Sequence, residues 1–250
     1  MDLIRKIKSS REILKRNLES EWEVSSISNY SEKEIEKLYT SKSYNDNIYF
    51  GKGSNLNFTL NHKYIKDHKL YIIYYNFPEI NSPSLKVTKT CGDKMLSLYN
   101  NEIINKEDSI ILIITEKISE NIEKTIEDVY KKGQEKLLIE NLSDNILEQN
   151  EKLGDDKYNL EHFRNIHIFN IDNLGFDIEK HNCVPKHKCI RKLKEKEYIL
   201  KKTNSEKNQL PGILRTDSMA KLLRLAPGDI CEITRKSERC GEYNFYRICH

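Results

Sequence analysis

The chain has 250 residues, of which 37% are hydrophobic and 32% are charged. This length supports one or two domains, and the composition is polar without reaching that of a disordered protein. The net charge of +3 is unevenly distributed: residues 178–250 carry 17 Lys and Arg against 9 Asp and Glu, whereas residues 1–177 carry 25 against 30. We therefore expect two modules, of which the basic C-terminal one is suited to acidic protein or nucleic acid.

Apolar runs are short throughout the chain. The longest, Leu70–Tyr75 and Ile110–Ile114, are far below the length needed to span a bilayer. The six cysteines show no paired spacing typical of a disulfide framework. We expect a soluble, intracellular protein with reduced thiols and no membrane contact.

Two helices are predicted near the beginning of the chain. Leu3, Ile7 and Leu14 recur at helical spacing between charged residues, which predicts an amphipathic helix. Ser31 and Glu34 form the S-x-x-E pattern of a capping box and predict a second, shorter helix after them.

Strands and helices then alternate. β-branched and aromatic residues predict strands at Leu70–Tyr75, Ser109–Thr115 and Ile166–Ile171, with weaker candidates at Asn47–Gly51 and Leu56–Asn61. This order predicts an α/β domain with a small mixed sheet covered by helices. Between the strands, helices are predicted at Ser84–Asn100 and Ser119–Lys132. A further candidate strand lies at Leu137–Ile139, and Asn141–Tyr158 is predicted to be a surface insertion.

The C-terminal part has a different pattern. Helices are predicted at Glu195–Thr203 and, capped by Asp217, at Ser218–Leu225. Ile230–Arg235 and Tyr243–Cys249 predict a hairpin, since both alternate and a turn lies between them. These elements predict a compact α+β domain with a small antiparallel sheet.

A change in composition near Gly175–Glu179 marks the predicted domain boundary. We predict an α+β protein with an α/β domain at residues 1–177, which carries an acidic insertion near residues 141–156, and a second domain at residues 178–250.

Several motifs in the C-terminal part resemble one known family. It comprises the fifth-largest subunit shared by the eukaryotic nuclear RNA polymerases and its shorter archaeal counterpart. His181–His187 is similar to the H-x-x-V-P-x-H segment that opens the conserved domain of the archaeal protein. Gln209–Asp217 resembles the family's Q-L-P-x-I-x-x-x-D stretch, and Pro227–Asp229, Ile233–Glu238 and Gly241–Cys249 resemble its ending. The likeness covers residues 181–250 in one register, which is far more specific than any single motif.

This resemblance implies a non-catalytic subunit of a multisubunit DNA-directed RNA polymerase. In this family the C-terminal domain docks on the largest subunit, next to other polymerase subunits, and the N-terminal domain forms part of the lower jaw near downstream DNA. The resemblance implies weak contact with double-stranded DNA without sequence preference, and no cofactor or metal. The divergent N-terminal half and the Asn- and Lys-rich composition favour a homologue from a large nucleocytoplasmic DNA virus. We expect such a protein in the virion and host cytoplasm, and a cellular one in the nucleus.

The resemblance also suggests interface residues. Prolines pre-order loops, and arginine forks suit carboxylates or carbonyls of a partner. For downstream DNA the candidates are Lys117, Ser119, Asn121 and Lys124, although interleaved glutamates also suit a solvated mixed-charge face. The predicted partner interface comprises His181, Val184, Pro185, His187, Leu210, Pro211, Arg215, Asp217, Arg235, Ser237, Tyr246 and Arg247.

A zinc site is one alternative interpretation of the C-terminal part. His181, Cys183, His187 and Cys189 lie close together in sequence, and His250 ends the chain. Their spacing contains no C-x-x-C, and ligands one residue apart on an extended chain face opposite sides. We therefore interpret the two cysteines as small buried residues and predict no metal.

Two further classes remain as alternatives. A metal-dependent nuclease would require an acidic-x-Lys trio on a strand, whereas Glu79 follows its strand and Lys86 lies seven residues later. A free-standing nucleic-acid-binding protein would use the basic C-terminal domain, but the sequence shows no recognition helix and no aromatic residues interleaved for stacking.

Overall fold

A computed structural model describes residues 2–41, 50–239 and 241–250. The chain divides into two compact units, which we call the N-terminal unit (Met1–Ile146 and Arg164–Phe176) and the C-terminal unit (Leu147–Phe163 and Asp177–His250). Each unit has a four-stranded sheet of mixed direction together with helices, which confirms the predicted α+β class.

The N-terminal unit is built on a sheet with strand order β1-β2-β3-β4. β1 is antiparallel to β2, whereas β2, β3 and β4 run parallel. Its elements are α1 (Leu3–Leu18), α2 (Glu32–Thr40), β1 (Phe58–Asn61), β2 (Lys69–Tyr74), α3 (Thr90–Asn100), β3 (Ser109–Ile114), α4 (Glu120–Glu140) and β4 (Ile166–Asn170). A further helix, α5 (Asp144–Lys152), begins in this unit and ends in the C-terminal one.

Helices cover both faces of this sheet. On one face, Ile73, Leu112 and Ile168 pack in a buried cluster with α3 and α4. On the other face, the hydroxyl of Ser10 on α1 lies 3.2 Å from the hydroxyl of Tyr74 on β2. Because both faces are buried, the central strand β3 consists almost entirely of apolar residues.

The predicted N-terminal helices are confirmed. α2 begins with the expected capping box: the Ser31 hydroxyl accepts a hydrogen bond from the Glu34 amide at 3.4 Å, and the Glu34 carboxylate accepts one from the Ser31 amide at 2.8 Å. The capped carboxylate has a lowered pKa, chiefly because the Ser31 amide donates to it. The candidate strand at Asn47–Gly51 lies mostly outside the described residues.

The helix predicted to begin at Ser84 begins only at Thr90. The Ser84 hydroxyl donates to the Thr115 carbonyl at 3.2 Å, and the Val87 amide donates to the Glu116 carboxylate at 2.6 Å. These bonds tie residues 84–87 to the end of β3, so the segment cannot form helical hydrogen bonds instead.

The strand predicted at Leu137–Ile139 is wrong, since α4 continues through Gly133 to Glu140. A Cβ atom at Gly133 would meet the Arg164 side chain at 2.4 Å. The Arg164 guanidinium in turn lies 3.9 Å from the centre of the Tyr99 ring and is buried. Gly133 therefore lies inside the helix, where it packs against Arg164, and does not end the helix.

A buried carboxylate marks the beginning of β3. Asp108 accepts hydrogen bonds from the amides of Lys69 at 2.7 Å and Asn105 at 3.2 Å. Burial raises the pKa of Asp108 to about 7, and these bonds and Lys69 oppose the shift only in part. Asp108 thus joins β2 to β3 with a group that titrates near neutral pH.

The C-terminal unit has strand order β5-β7-β8-β6. β5, β7 and β8 are antiparallel, but β6 runs parallel to β8, so the predicted antiparallel sheet is in fact mixed. Its elements are β5 (Lys186–Ile190), α6 (Leu193–Thr203), β6 (Gly212–Ile213), α7 (Ser218–Leu222), β7 (Ile230–Ser237) and β8 (Gly241–Cys249). α7 ends before the predicted Leu225 because Arg224 has a left-handed backbone with φ of 51°.

The segment predicted as a surface insertion is partly folded into the C-terminal unit. Asn150 and Tyr158 exchange two hydrogen bonds of 2.9 and 2.8 Å. Asp156 pairs with Lys192 at 2.9 Å, and Asp155 pairs with Lys194. Across the described part of the chain, no helix combines the length and apolar content needed to cross a membrane.

We predict that Gly133→Ala destabilises the protein by about 1–3 kcal/mol, because the added methyl group cannot fit beside Arg164. In an open helix position the same change would be stabilising. Lys132→Ala, at an exposed position on the same helix, is the control. Thermal unfolding followed by circular dichroism distinguishes the two, and an unchanged or raised Tm for Gly133→Ala would contradict the packing.

We also predict a pH dependence that depends on Asp108. The pKa of this group is about 7 in the folded chain and about 4 in an unfolded chain. The folded state therefore holds a proton that the unfolded state releases, so the contribution of Asp108 to stability falls as pH rises from about 4 to about 7 and is constant above that.

Urea unfolding between about pH 5 and pH 8 tests this expectation, with Asp108→Asn as the comparison. Asparagine retains an acceptor for the Lys69 amide but does not titrate. The fall in unfolding free energy with rising pH should be shallower in the variant, and identical slopes would refute the assignment.

Candidate partner interface in the C-terminal unit

Two small cores lie on opposite faces of the C-terminal sheet. Ile230 and Ile248 pack with Ile199 of α6 on one face. Cys231 and Ile233 pack with Ala220 of α7 on the other. Alternate residues of β7 therefore enter different cores, as expected for a strand that is buried on both sides.

The sheet face that carries Cys231 and Ile233 also carries a group of cationic and aromatic side chains. Register places Arg247 opposite Cys231, Arg235 opposite Tyr243, and His187 and Phe245 on either side of Ile233. Residues opposite each other project to the same side of a sheet. We call His187, Arg235, Tyr243, Phe245 and Arg247 the cation–aromatic face.

The two arginines of this face pack on one ring. The guanidinium groups of Arg235 and Arg247 lie 4.7 and 5.5 Å from the centre of the Phe245 ring. Arg247 also donates to the Gly212 carbonyl at 2.9 Å. Such contacts hold the guanidinium groups in place before any partner binds, which lowers the entropic cost of binding.

Negative charge lies on the other side of the hairpin. Glu232 accepts hydrogen bonds from Asn244 at 2.7 Å and Tyr246 at 3.1 Å, on the face that α6 covers. Among the described residues, neither Arg235 nor Arg247 forms an ion pair with a carboxylate. The cation–aromatic face is therefore electropositive and suited to an acidic partner surface.

A buried ion-pair network holds the sheet that carries this face. Asp229 is 4% exposed. Its carboxylate accepts from Arg191 Nε and Lys196 Nζ, both at 3.1 Å, and from the Ala226 amide at 3.0 Å. Arg191 also donates to the carbonyl oxygens of Leu223 and Arg224 at 2.8 and 2.7 Å. The end of β5, α6 and the turn before β7 are thus joined at one carboxylate.

Comparison with known proteins identifies this unit. Residues 176–249 match the family described as RNA polymerase Rpb5, C-terminal domain. DNA-directed RNA polymerase subunit Rpo5 of Archaeoglobus fulgidus is 45% identical over 75 residues, which are 30% of this chain and 97% of that protein. The chain belongs to the Rpb5 family. This confirms the resemblance found in the sequence.

Other relatives cover the same part of the chain. The Rpo5 subunit of Thermococcus onnurineus is 41% identical over 73 residues, which are 29% of this chain and 88% of the relative. That of Sulfurisphaera tokodaii is 44% identical over 74 residues, 30% of this chain and 87% of the relative. The similarity to these Rpb5-family proteins therefore rests on the C-terminal unit.

Three of the predicted interface residues, His187, Arg235 and Arg247, come together on the cation–aromatic face. Phe245 was not among the predicted site residues, although alternation along β8 places it, with Tyr243, on the same side as Arg247. The missing information was which side of the strand lies outside the core.

Other predicted interface residues have structural roles within the unit. Tyr246 and Leu210 are buried in the core beside α6, and Arg215 is also buried. Asp217 caps α7 by accepting hydrogen bonds from the amides of Met219 at 2.8 Å and Ala220 at 3.3 Å. Little surface of the buried side chains is available for contact with a partner. Their role in an Rpb5-family interface stays a prediction.

The remaining predicted residues lie in loops and at strand ends. The His181 carbonyl accepts from the Val184 amide at 2.9 Å, and His187 Nδ1 lies 2.7 Å from the Pro185 carbonyl oxygen. The Pro211 carbonyl accepts from the Ile248 amide at 2.9 Å, at the edge of the sheet. Ser237 ends β7, where its hydroxyl accepts from the Arg239 amide at 3.3 Å.

The cysteines of the zinc interpretation lie nearer the surface than expected: Cys183 is exposed and Cys189 is only partly buried, so their interpretation as small buried residues is wrong. Within the described ranges, no group of three or more His, Cys, Asp or Glu is arranged to hold a metal ion. His181 Nδ1 accepts from the Cys183 amide at 3.2 Å. Burial raises the pKa of Cys231 to about 11, so its thiol is protonated at neutral pH and is a poor nucleophile. Glu79 is largely exposed and pairs with Lys52 at 3.7 Å.

The candidate DNA contacts lie in the N-terminal unit around the beginning of α4. Lys117, Ser119, Asn121 and Lys124 are all exposed. The Ser119 hydroxyl accepts from the Ile122 amide at 3.4 Å and so caps the helix. Acidic residues also occupy the first turn, which gives this surface mixed charge.

We predict that Asp229→Asn destabilises the C-terminal unit by roughly 3–5 kcal/mol, because it leaves the buried Lys196 and the partly buried Arg191 without a counter-charge. Hydrogen exchange of the full-length chain, followed by mass spectrometry, should show faster exchange in β5, α6 and β7. Glu238→Gln, an exposed acidic position, is the control. Unchanged exchange in Asp229→Asn would show that the network contributes little.

Proposed function

We propose that this chain is a non-catalytic subunit of a multisubunit DNA-directed RNA polymerase, and that the cation–aromatic face contacts the largest subunit. The role as a polymerase subunit rests on one observation: the C-terminal unit matches nearly the whole length of the Archaeoglobus fulgidus polymerase subunit. A unit shared at 45% identity with a complete subunit of such an enzyme is suited to the same assembly role.

The composition of the cation–aromatic face supports the second part. Arginine, tyrosine and phenylalanine are enriched in the buried centres of protein interfaces, where they contribute much of the binding energy. Arg235 and Arg247 are fixed against Phe245, and Tyr243 beside them is 42% exposed. We infer that the complementary surface on the partner carries carboxylates, because these pair with two guanidinium groups.

The chemistry of nucleotide addition belongs, in this proposal, to the large subunits. The reason is that the C-terminal unit matches nearly the whole length of a single subunit of such an enzyme. Binding and positioning of other subunits are then the contribution of this chain.

The N-terminal unit is proposed to lie near downstream DNA. The exposed Lys117 and Lys124 are available for phosphates, and phosphate contacts suit a polymerase that must pass every sequence. Acidic residues in the first turn of α4 keep this contact weak. We propose a virion and host-cytoplasmic location if the polymerase is viral, and a nuclear one if it is cellular.

A second candidate function is free-standing binding of single-stranded nucleic acid. The sequence suggests no aromatic residues interleaved for stacking, but strand pairing brings Tyr243 and Phe245 together with arginines on the cation–aromatic face. This favours the second function, because bases stack on such side chains. A free-standing protein would bind nucleic acid strongly without any polymerase and in a salt-sensitive way.

Affinity purification of the tagged full-length chain from its native or infected cells, followed by mass spectrometry, tests both functions. The wild type should recover the two large polymerase subunits, whose identity also decides between a viral and a cellular enzyme. The double variant Arg235→Glu/Arg247→Glu should lose them, because like charges repel carboxylates on the partner.

Lys236→Glu is the matched control, since it reverses a charge on the same strand but on the opposite face. If only the control variant loses the polymerase, the interface lies on the other side of the hairpin. If the wild type recovers no polymerase and binds single-stranded DNA at physiological salt, the second function replaces the first.

A further inference from the structure

The N-terminal unit contains an open cavity of about 550 Å³ that the polymerase role does not use. Its walls come from α1, from α2 and from the segment between them, residues 27–31. This volume is within the range of small-molecule binding sites.

A buried arginine lines the cavity. Arg11 is 6% exposed. Its guanidinium lies 4.5 Å from the ring centre of Phe58 and 5.1 Å from that of Tyr30. It donates to the Leu56 carbonyl at 3.0 Å. All of these partners are neutral, and among the described residues no carboxylate lies within ion-pair distance of Arg11.

A buried cation without a counter-charge is unusual. Arginine is rarely so fully buried unless it is paired, because the loss of water around the charge is costly. Aromatic rings and one carbonyl offset part of this cost. The Nε atom of Arg11 still has no hydrogen-bond partner in the described part of the chain. An anion in the adjoining cavity would supply the missing negative charge.

Two further lysines of α1 add positive charge on this side. Lys8, one turn before Arg11, lines the cavity and is half-buried, with no ion pair among the described residues. Lys15 donates to the Ile27 carbonyl at 3.5 Å and to Asn29 Oδ1 at 3.3 Å. Among the described residues of the cavity wall, Glu12 is the one acidic residue, and it is exposed, where water screens its charge.

The rest of the wall indicates the kind of anion. Ser28 contributes a hydroxyl, and Asn29 retains its NH₂ group because Lys15 occupies its oxygen. Several donors of this kind suit the multiple oxygens of a phosphate group. Ile27 and Ile35 supply an apolar surface in the same cavity. We propose that this cavity binds the phosphate group of a small phosphate monoester, with Lys8 and Arg11 as its cationic ligands.

Nuclear magnetic resonance of the full-length chain tests the proposal, with inorganic phosphate and adenosine monophosphate as probes and adenosine as the uncharged comparison. Both anions should shift the Arg11 Nε–Hε signal in a saturable way, whereas adenosine should not. Isothermal titration calorimetry then gives the affinity. Absence of saturable binding at millimolar phosphate or adenosine monophosphate overturns the proposal.

Lys8→Gln should weaken binding about tenfold, as expected for loss of one charge-assisted contact. Lys8→Arg should retain it. Lys33→Gln, which removes a charge from an exposed position on α2 outside the cavity, should leave it unchanged. Equal weakening in Lys8→Gln and Lys33→Gln would show general charge attraction and no site. The result does not depend on whether the chain joins a polymerase.

Discussion

The C-terminal unit depends on one buried carboxylate. Asp229 pairs with the buried Lys196 and the partly buried Arg191, and it also accepts a hydrogen bond from the Ala226 amide. These groups come from the end of β5, from α6 and from the turn before β7. Because both cations pair with this one anion, the three elements take one relative arrangement. The turn itself requires Gly228, whose φ of 83° is unfavourable for other residues.

That arrangement decides which surface is free for a partner. Once β5, β7 and β8 are paired in register, α6 and α7 cover the two faces around Ile230 and Cys231, and the hairpin extends beyond both helices. Arg235 on this extension and Arg247, which lies opposite Cys231, are on one side of the sheet, and both pack on Phe245. The same fixed register places the carboxylate of Glu232 on the other side, so the two faces differ in charge.

The N-terminal unit uses buried polar groups in a comparable way. Arg164 packs on Tyr99 and against Gly133, and so fixes the passage of α4 over the sheet. Asp108 joins the beginnings of β2 and β3. Arg11, like Arg164, has an aromatic environment and a backbone carbonyl as its partners among the described residues. Arg11 differs in that it lines an open cavity, and this is the feature of the unit that points to a ligand.

The family and most of the strands and helices could be predicted from the amino-acid order alone, because hydrophobic periodicity, the capping box at Ser31 and the spacing of short motifs are local properties. The folded chain was needed to establish that α4 continues through Gly133, that residues 84–87 are extended, and that Tyr246 lies in the core while Arg247 lies outside. Each of these depends on a contact between residues far apart in the chain. Local pattern cannot encode such contacts, since a strand's alternation gives two faces without saying which one is buried.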